Sequence, residues 1–145
     1  MRDYRASDRD ELIRLWQACD LVRPWNDPAA DIARAVTAKN ATLLVGREAG
    51  ELIASVMIGC DGHRGWACYL AVAPDQRSRG HGREIMEEAG LWLVARGAPK
   101  LELRVRHGHR AAEAFYAQLG FEREAVNVYC KWLMDPHEAG ATPDP

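Results

Sequence analysis

The sequence predicts an α+β fold in which a mixed, mostly antiparallel sheet of about six to seven strands is flanked by about four helices. Short apolar runs bounded by turn residues predict the strands, and apolar residues at helical spacing predict the helices. Strands joined by short turns fill the middle of the chain, and helices alternate with strands after them. With 145 residues, of which 48% are hydrophobic, the chain suits one domain. We expect it to span residues 1–134, followed by a disordered tail at 135–145.

Two helices are predicted near the N-terminus, after a short first strand in residues 1–5. Ser7 and Asp10 offer capping groups for the first helix. Asp27 can cap the second helix, with Pro28 at its first position. The apolar faces expected to contact the core are Leu12, Leu15, Trp16 and Cys19 in the first helix, and Ile32, Ala35 and Val36 in the second.

Three strands follow as a meander. Residues 42–46 and 52–59 are apolar runs separated by a turn at 48–51, which predicts a hairpin. Residues 66–72 form a third apolar run after a turn at 61–65. We therefore expect three neighbouring strands connected by tight turns.

The second half of the chain alternates helices with strands. Apolar residues recur at helical spacing over residues 85–93, which predicts a long helix. The predicted elements are, in order, this helix ended by Gly97 and Pro99, a strand at 101–105, a helix at 110–119 and a closing hairpin at 121–123 and 126–132.

The segment between the third strand and the long helix forms a loop suited to a pyrophosphate. Gly80 and Gly82 lie at the helix start, where backbone N–H groups lack intrahelical partners and the helix dipole is positive. The main chain itself can therefore bind an anion there. Guanidinium groups, which pair with phosphate oxygens, surround the same loop at Arg77, Arg79 and Arg83. This arrangement points to a nucleotide-like cofactor.

The pattern Arg77-x-x-Gly80-x-Gly82 resembles the acyl-CoA-binding loop of the GCN5-related N-acetyltransferases (GNAT), whose usual form is Gln/Arg-x-x-Gly-x-Gly/Ala after a strand. Residues 112–121 resemble that family's second block, which ends Tyr-x-x-x-Gly-Phe. The two motifs stand in the family's order, and the likeness covers about residues 1–132. The loops at 23–28 and 61–65 are similar to those of a small bacterial subgroup of the family. The resemblance implies the GNAT fold and acetyl-CoA as cofactor.

The resemblance also implies roles for particular residues along the third strand and the second motif. The strand is expected to carry a bulge and to open at Leu70 to Val72, where main-chain N–H groups can bind the thioester carbonyl. Tyr116 matches the family's tyrosine near the thioester sulfur and is the expected general acid, with packing on the helix face as the alternative. His109 stands where the family often has Asn, and it could cap the helix or contact the cofactor. The expected cofactor-binding residues are Leu70, Ala71, Val72, Arg77, Ser78, Arg79, Gly80, His81, Gly82, Arg83, His109 and Tyr116.

The general base and the acceptor site are less well defined by the sequence. Glu102 and His63 are equal candidates for the base, since related enzymes use a glutamate near this strand and histidine has a suitable pKa. A solvated charge and ordinary turn chemistry are their alternatives. The first inter-helix loop borders the acceptor in similar enzymes. The residues expected on the acceptor side are Trp25, Asn26, Asp27, Asp61 and His63.

Composition argues against several kinds of partner. A net charge of −2 gives no basic field of the kind that nucleic-acid binders display. The apolar runs fall short of the ~20 residues that span a bilayer, so we expect a cytoplasmic protein with no membrane partner. The cysteines lack the spacing of a metal or disulfide site and are expected to be small buried residues: Cys19, Cys60, Cys68 and Cys130.

The leading functional hypothesis is an acetyl-CoA-dependent N-acetyltransferase in which a primary amine, of a small molecule or of a protein or peptide, attacks the thioester directly. The alternative is a non-catalytic acyl-CoA-binding or regulatory module of the same fold. A nucleotide hydrolase would need Gly-x-x-x-x-Gly-Lys-Ser/Thr, which the sequence lacks. Strand edges could support a homodimer, although nothing in the sequence specifies one.

Overall fold

A computed structural model describes residues 1–22 and 27–135. The elements follow the predicted order, with a 3₁₀ turn before the first helix at Ala6–Asp8 and another at Pro74–Gln76. They are strand β1 (Arg2–Asp3), helices α1 (Arg9–Ala18) and α2 (Pro28–Thr37), strands β2 (Ala41–Glu48), β3 (Glu51–Cys60) and β4 (Gly65–Val72), helix α3 (His81–Val94), strand β5 (Leu101–Glu102) and helix α4 (Arg110–Gln118).

The strands form one sheet in the order β1-β2-β3-β4-β5. The first three pairings are antiparallel and the β4–β5 pairing is parallel, so the predicted mixed, mostly antiparallel sheet is confirmed. The β2–β3 hairpin turns at Ala49 and Gly50, both with positive φ. Among the described residues the sheet has five strands, fewer than the six to seven predicted.

Helices cover both faces of the sheet, and β3 is therefore buried along almost its whole length. Successive strand residues point to opposite faces, so Met57 packs under α1 and α2 while Val56 and Ile58 pack under α3. We call these the α1–α2 face and the α3–α4 face. The α1–α2 face also holds Trp16 and Leu43. Tyr116 of α4 and Leu119, the residue after that helix, pack on the α3–α4 face.

A buried carboxylate fixes the start of α1. Asp8 is fully buried and receives both guanidinium N–H groups of Arg2 at 2.8 Å and Nη2 of Arg47 at 2.7 Å. The hydrogen bonds from Arg2, followed by those from Arg47, hold the pKa of Asp8 well below its usual range. The prediction that Ser7 and Asp10 cap this helix is wrong, since Asp8 organises this turn by accepting hydrogen bonds from the Arg5 backbone N–H and from the side chains of Arg2 and Arg47.

The C-terminal part of the predicted sheet differs from expectation. β5 has two residues rather than five, and the predicted strands at 121–123 and 126–132 are absent from the described structure. The alternating residues of this segment have the composition of a strand, but a strand also needs a paired neighbour. The short β5 offers little edge for pairing, and apolar side chains of the segment remain exposed, including Val126, Val128, Tyr129 and Leu133.

Two smaller expectations about burial are also wrong. Val36 is 47% exposed, because Ile32 and Ala35 carry the contact of α2 with the sheet and Val36 lies to one side of them. Cys60 is buried and Cys19 half-buried as expected for small apolar residues. Cys68 and Cys130 are instead exposed, the first on β4 where the sheet opens and the second in the C-terminal segment without strand structure.

Within residues 1–22 and 27–135, no helix combines the length and the apolar character needed to cross a membrane. The prediction for the tail beyond Asp135 lies outside the described residues.

Candidate active site

The sheet opens between its last two strands. β4 and β5 pair only at Gly65–Leu101 and Trp66–Glu102. Over residues 67–72, no described strand pairs with β4 on that side. A strand edge of this kind presents main-chain N–H and C=O groups that an extended, amide-rich molecule can bind.

A β-bulge lies within this open part of β4. Tyr69 and Leu70 together face the single residue Val56 of β3. Tyr69 has φ +51°, a conformation that is strained for a bulky residue. The resemblance implied a bulge at Leu70 to Val72, and the structure has one that begins one residue earlier.

Contacts from three other elements hold the bulge. The Tyr69 ring stacks on Trp16 of α1 with ring centroids 4.0 Å apart, and its hydroxyl donates to Oδ2 of Asp31 on α2 at 2.5 Å. Ser55 of β3 donates from Oγ to the Tyr69 carbonyl at 3.1 Å and accepts from Nε1 of Trp16 at 3.0 Å. Burial and the bond to Asp31 raise the pKa of the Tyr69 phenol, which therefore remains a donor. The strained residue is thus fixed by α1, α2 and β3.

The loop between β4 and α3 has the geometry of an anion site. Ser78 and Gly80 both have positive φ, +63° and +88°, and Gly80 is the residue at which α3 begins. No described atom lies within 4 Å of the position that a Cβ on Gly80 would take. The first turn of α3 therefore faces open space, with the positive end of the helix dipole directed at it.

The three arginines of the loop are exposed and weakly tethered. Such side chains can reorient toward a phosphate without losing strong internal bonds. Their hydrogen bonds are from Arg77 Nε to the Val72 carbonyl at 3.3 Å and Arg77 Nη2 to Cys19 Sγ at 3.8 Å, from Arg79 Nη1 to Gln76 Oε1 at 3.2 Å, and from Arg83 Nη2 to the Gln118 carbonyl at 3.3 Å.

His81 and Gly82 face the protein rather than the open side of the loop. A Cβ on Gly82 would stand 3.0 Å from Cζ of Phe115, so this glycine leaves room for an aromatic ring of α4. The His81 side chain is 15% exposed, and its Nε2 lies 3.6 Å from the Glu48 carboxylate without a hydrogen bond. The structure therefore gives both residues packing contacts, and their expected roles toward a cofactor would act through the main chain.

Tyr116 lies half-buried on the α3–α4 face. Its ring makes edge-to-face contacts with Phe115 and Phe121, with centroids 5.1 and 5.5 Å away. Burial raises the pKa of its phenol above the usual value of about 10, so the group stays protonated at neutral pH. In the part of the chain that the structure describes, the hydroxyl makes no hydrogen bond and can still donate its proton.

His109 caps the start of α4. Its Nδ1 accepts a hydrogen bond from the Ala112 backbone N–H at 3.2 Å. Of the two roles considered for this residue, the structure therefore shows the capping role.

The candidate bases lie at the far end of β4 from the glycine loop. Glu102 is flanked by Arg64 Nη1 at 3.6 Å and Lys100 Nζ at 3.4 Å. Asp61 accepts hydrogen bonds from the backbone N–H groups of His63 and Arg64, both at 2.8 Å, and these bonds lower its pKa. His63 is exposed in the same turn. Trp66, which pairs with Glu102, precedes the bulge at Tyr69 by about 10 Å of strand.

The expected acceptor loop is only partly described. Trp25 and Asn26 lie outside the described residues. Asp27 caps α2 as predicted, its Oδ1 accepting from the Ala30 N–H at 3.1 Å. Its carboxylate is therefore engaged by the helix start.

Sequence reasoning missed Ser55, Asp31 and Tyr69, which the structure brings together around the bulge. Asp31 stands in the first turn of α2, where an acidic residue suits the helix dipole and suggests no other role. Tyr69 was a more informative signal of this cluster than Asp31, since a tyrosine needs a hydrogen-bond partner when it is buried in a strand that is expected to open.

Comparisons with known proteins agree on one relationship. The family model described as "Acetyltransferase (GNAT) family" matches residues 9–121. An acetyltransferase of Sodalis glossinidius is 42% identical over 139 residues, covering 95% of this chain and 98% of its own. One of Yersinia enterocolitica is 43% identical over 138 residues with the same coverage.

A solved structure shows the same fold at lower identity. The aminoglycoside N-acetyltransferase AAC(6′)-Iy, in complex with the bisubstrate analogue CoA-S-monomethyl-acetylneamine, superimposes with a TM-score of 0.77 at 17% identity. The match covers 90% of this chain and 96% of that one.

Proposed function

This chain belongs to the GNAT acetyltransferase family, whose members use acetyl-CoA, and from that premise we propose that it transfers the acetyl group directly to a primary amine of a small molecule or of a protein or peptide. The observation that carries the proposal is the opened and bulged β4 lying directly before the Gly80 loop. One continuous segment thereby offers groups for a thioester, an amide-rich arm and a pyrophosphate.

The residues of this segment fit acetyl-CoA. The unfilled space at Gly80 and the positive end of α3 suit a pyrophosphate, and the exposed Arg77 and Arg79 can add bidentate contacts. The edge of β4 suits the amides of the pantetheine arm. The main-chain N–H of Leu70 in the bulge suits the carbonyl oxygen of the thioester, in the manner of an oxyanion hole.

The protein's own groups complete the proposed transfer. Acetyl-CoA supplies an acetyl group activated as a thioester. The bulge orients and polarises its carbonyl while the amine nitrogen bonds to the carbonyl carbon and the carbon–sulfur bond breaks. Tyr116 gives its proton to the departing thiolate, and the excess proton of the amine passes to a base or to water. Glu102 and His63 both remain candidates for that base.

The test compares Tyr116→Phe with Tyr129→Phe. Tyr129 is 90% exposed, so its variant is a matched control for the loss of a tyrosine hydroxyl. We expect Tyr116→Phe to lower kcat for acceptor-dependent thiol release by about 10²–10⁴-fold while the Kd for acetyl-CoA, measured by calorimetry, changes little. Equal kcat in both variants would remove Tyr116 from the mechanism. Acetyl-CoA binding without thiol release for any amine would favour the non-catalytic acyl-CoA-binding module.

We also propose that two copies associate through the C-terminal segment. Val126 and Val128 are 67% and 63% exposed, and Trp132, further along the same segment, is 45% exposed. An exposed apolar row of this kind, next to a short edge strand, suits pairing with a second copy. Light scattering should give a dimer mass that Val128→Lys reduces to the monomer mass. A monomer at all concentrations would contradict the proposal.

The cytoplasm is the compartment that we propose for this enzyme. Cys19, Cys60 and Cys68 lie in the described residues as free thiols. Reduced thiols are typical of a reducing compartment.

A further inference from the structure

A cavity of about 290 Å³ lies on the α1–α2 face beside the bulge. Helix α2 forms one wall with Asp31, Arg34 and Ala35, while Met57 and Trp66 line the sheet side. Tyr69 belongs both to this cavity and to the bulge. A molecule in the cavity would therefore lie next to the part of β4 to which we assign the thioester.

The cavity and the proposed acid lie on opposite faces of the sheet. Trp66 and Tyr69 pack with the cluster under α1 and α2, whereas Tyr116 packs with the cluster under α3. The glycine loop leads into α3, on the same face as Tyr116. Cofactor and acceptor could thus approach one strand from its two sides and meet at the bulge.

Two opposite charges line the cavity, the largely buried Asp31 carboxylate and the exposed Arg34 guanidinium. The Asp31 side chain is 18% exposed and accepts from the Tyr69 hydroxyl on Oδ2 and from Arg34 Nη2 on Oδ1. The Arg34 side chain is 59% exposed, so a cation from solution can take its place without leaving a buried charge unpaired. The Tyr69 bond holds the carboxylate in position during that exchange.

Apart from Asn40, the rest of the lining is apolar, and Trp66 gives it a flat surface. Trp66 lies across Gly59 of the neighbouring strand, where a Cβ would stand 2.0 Å from Cζ2 of the indole. The indole, with Met57 and Ala35, gives a surface for an aromatic or branched apolar group. The volume is at the lower end of the ~300–1,000 Å³ typical of small-molecule sites. A single ring fits these dimensions better than a linked pair of sugar rings does.

We propose that this cavity binds the acceptor, and that the acceptor is a compact primary amine with an aromatic or branched apolar body. Its ammonium group lies at Asp31 and its body packs against Trp66, until water or the base takes a proton from the ammonium and the neutral amine attacks the thioester carbonyl carbon. This inference rests on the proposed amine transfer and adds the class of substrate to it.

The experiment measures amine binding and turnover separately. Calorimetry with phenethylamine, in the presence of CoA, reports on the cavity alone, and thiol release with acetyl-CoA reports on the transfer. Ala38→Trp places an indole at the cavity wall, Ala33→Trp places the same side chain on the exposed side of α2, and Asp31→Asn keeps an acceptor for Tyr69 but removes the charge. Spermidine, kanamycin and a lysine peptide serve as competing acceptors.

We expect phenethylamine affinity to fall at least about 10-fold in Ala38→Trp and in Asp31→Asn, with Ala33→Trp unchanged and the Kd for acetyl-CoA constant throughout. Equal phenethylamine affinity in all variants would overturn the assignment of the cavity. Turnover of spermidine, kanamycin or the peptide in preference to phenethylamine would overturn the class of substrate. Phenethylamine binding that depends on Asp31, with no thiol release for any amine, would instead refute the amine transfer and with it the acceptor role.

Discussion

Replacing Ser55 by alanine tests whether the bulge on β4 is held from inside the protein. Ser55 is fully buried, and its hydroxyl is the partner of both the Trp16 indole N–H and the Tyr69 carbonyl. The variant removes both bonds while keeping nearly the same volume, so two polar groups lose their partners and no large cavity forms.

The magnitude follows from the burial of those two groups. The Trp16 side chain is fully buried, so an unpaired indole N–H costs about 1–2 kcal/mol. The Tyr69 carbonyl lies in a half-buried residue, where water can compensate in part and the cost is about 0.5–1 kcal/mol. We therefore expect the free energy of unfolding to fall by about 1.5–3 kcal/mol.

Urea unfolding at 25 °C measures that loss, and thiol release at the same temperature, where the variant remains folded, measures catalysis. Because Tyr69 has a strained φ, losing the bond to its carbonyl should let the bulge relax and should lower kcat more than it raises the KM for acetyl-CoA. Ser7→Ala is the control, since Ser7 is exposed and its loss should change stability by less than about 0.5 kcal/mol. A Ser55→Ala protein with unchanged kcat would refute the positioning role, whatever its stability.

Two further predictions concern the glycine loop and the buried carboxylate. Gly80→Glu should weaken acetyl-CoA binding by at least about 100-fold in calorimetry, because it adds a negative side chain at the proposed anion site. The control is Gly97→Glu, which carries the same backbone strain at φ +79° outside the loop and should bind acetyl-CoA normally. Equal losses of affinity in the two variants would assign the effect to strain. Asp8→Asn should lower the free energy of unfolding by about 2 kcal/mol at pH 7, since Arg2 and Arg47 lose a charged partner. The folded-state pKa of Asp8 is depressed, so its contribution is present above about pH 4 and is lost as the pH falls; a difference from wild type that persists undiminished at pH 2 would contradict this origin.

The sequence predicts well those features that neighbouring residues determine. Asp27 and Pro28 begin α2 as expected, because a cap needs only the backbone N–H groups three residues away. The Gly80 loop was equally predictable, since a strand, a turn and a helix start are all local. The family motif adds function to the same residues.

Features that depend on distant partners could not be predicted in this way. Ser55 and Tyr69 are 14 residues apart and Asp31 and Tyr69 are 38 apart, so no local pattern joins them. The same limit explains why the predicted closing hairpin is absent, although its alternating residues have the composition of strands. Whether such residues pair is decided by the strand edge available to them, and composition carries no information on that edge.

The contact between Gly82 and Phe115 links two parts of the candidate active site that are far apart in sequence. The Phe115 ring occupies the space that a side chain at residue 82 would need, and Tyr116 is the next residue in the chain. A Cβ at residue 82 would stand 3.0 Å from that ring, so the ring would have to give way by a few tenths of an ångström. In the proposed mechanism, the absence of a side chain at Gly82 sets how closely the start of α3, which we assign to the cofactor's phosphates, approaches Phe115, the neighbour of the proposed acid Tyr116. A larger residue at position 82 would have to be matched by a smaller one at position 115 for α3 and α4 to keep their present positions.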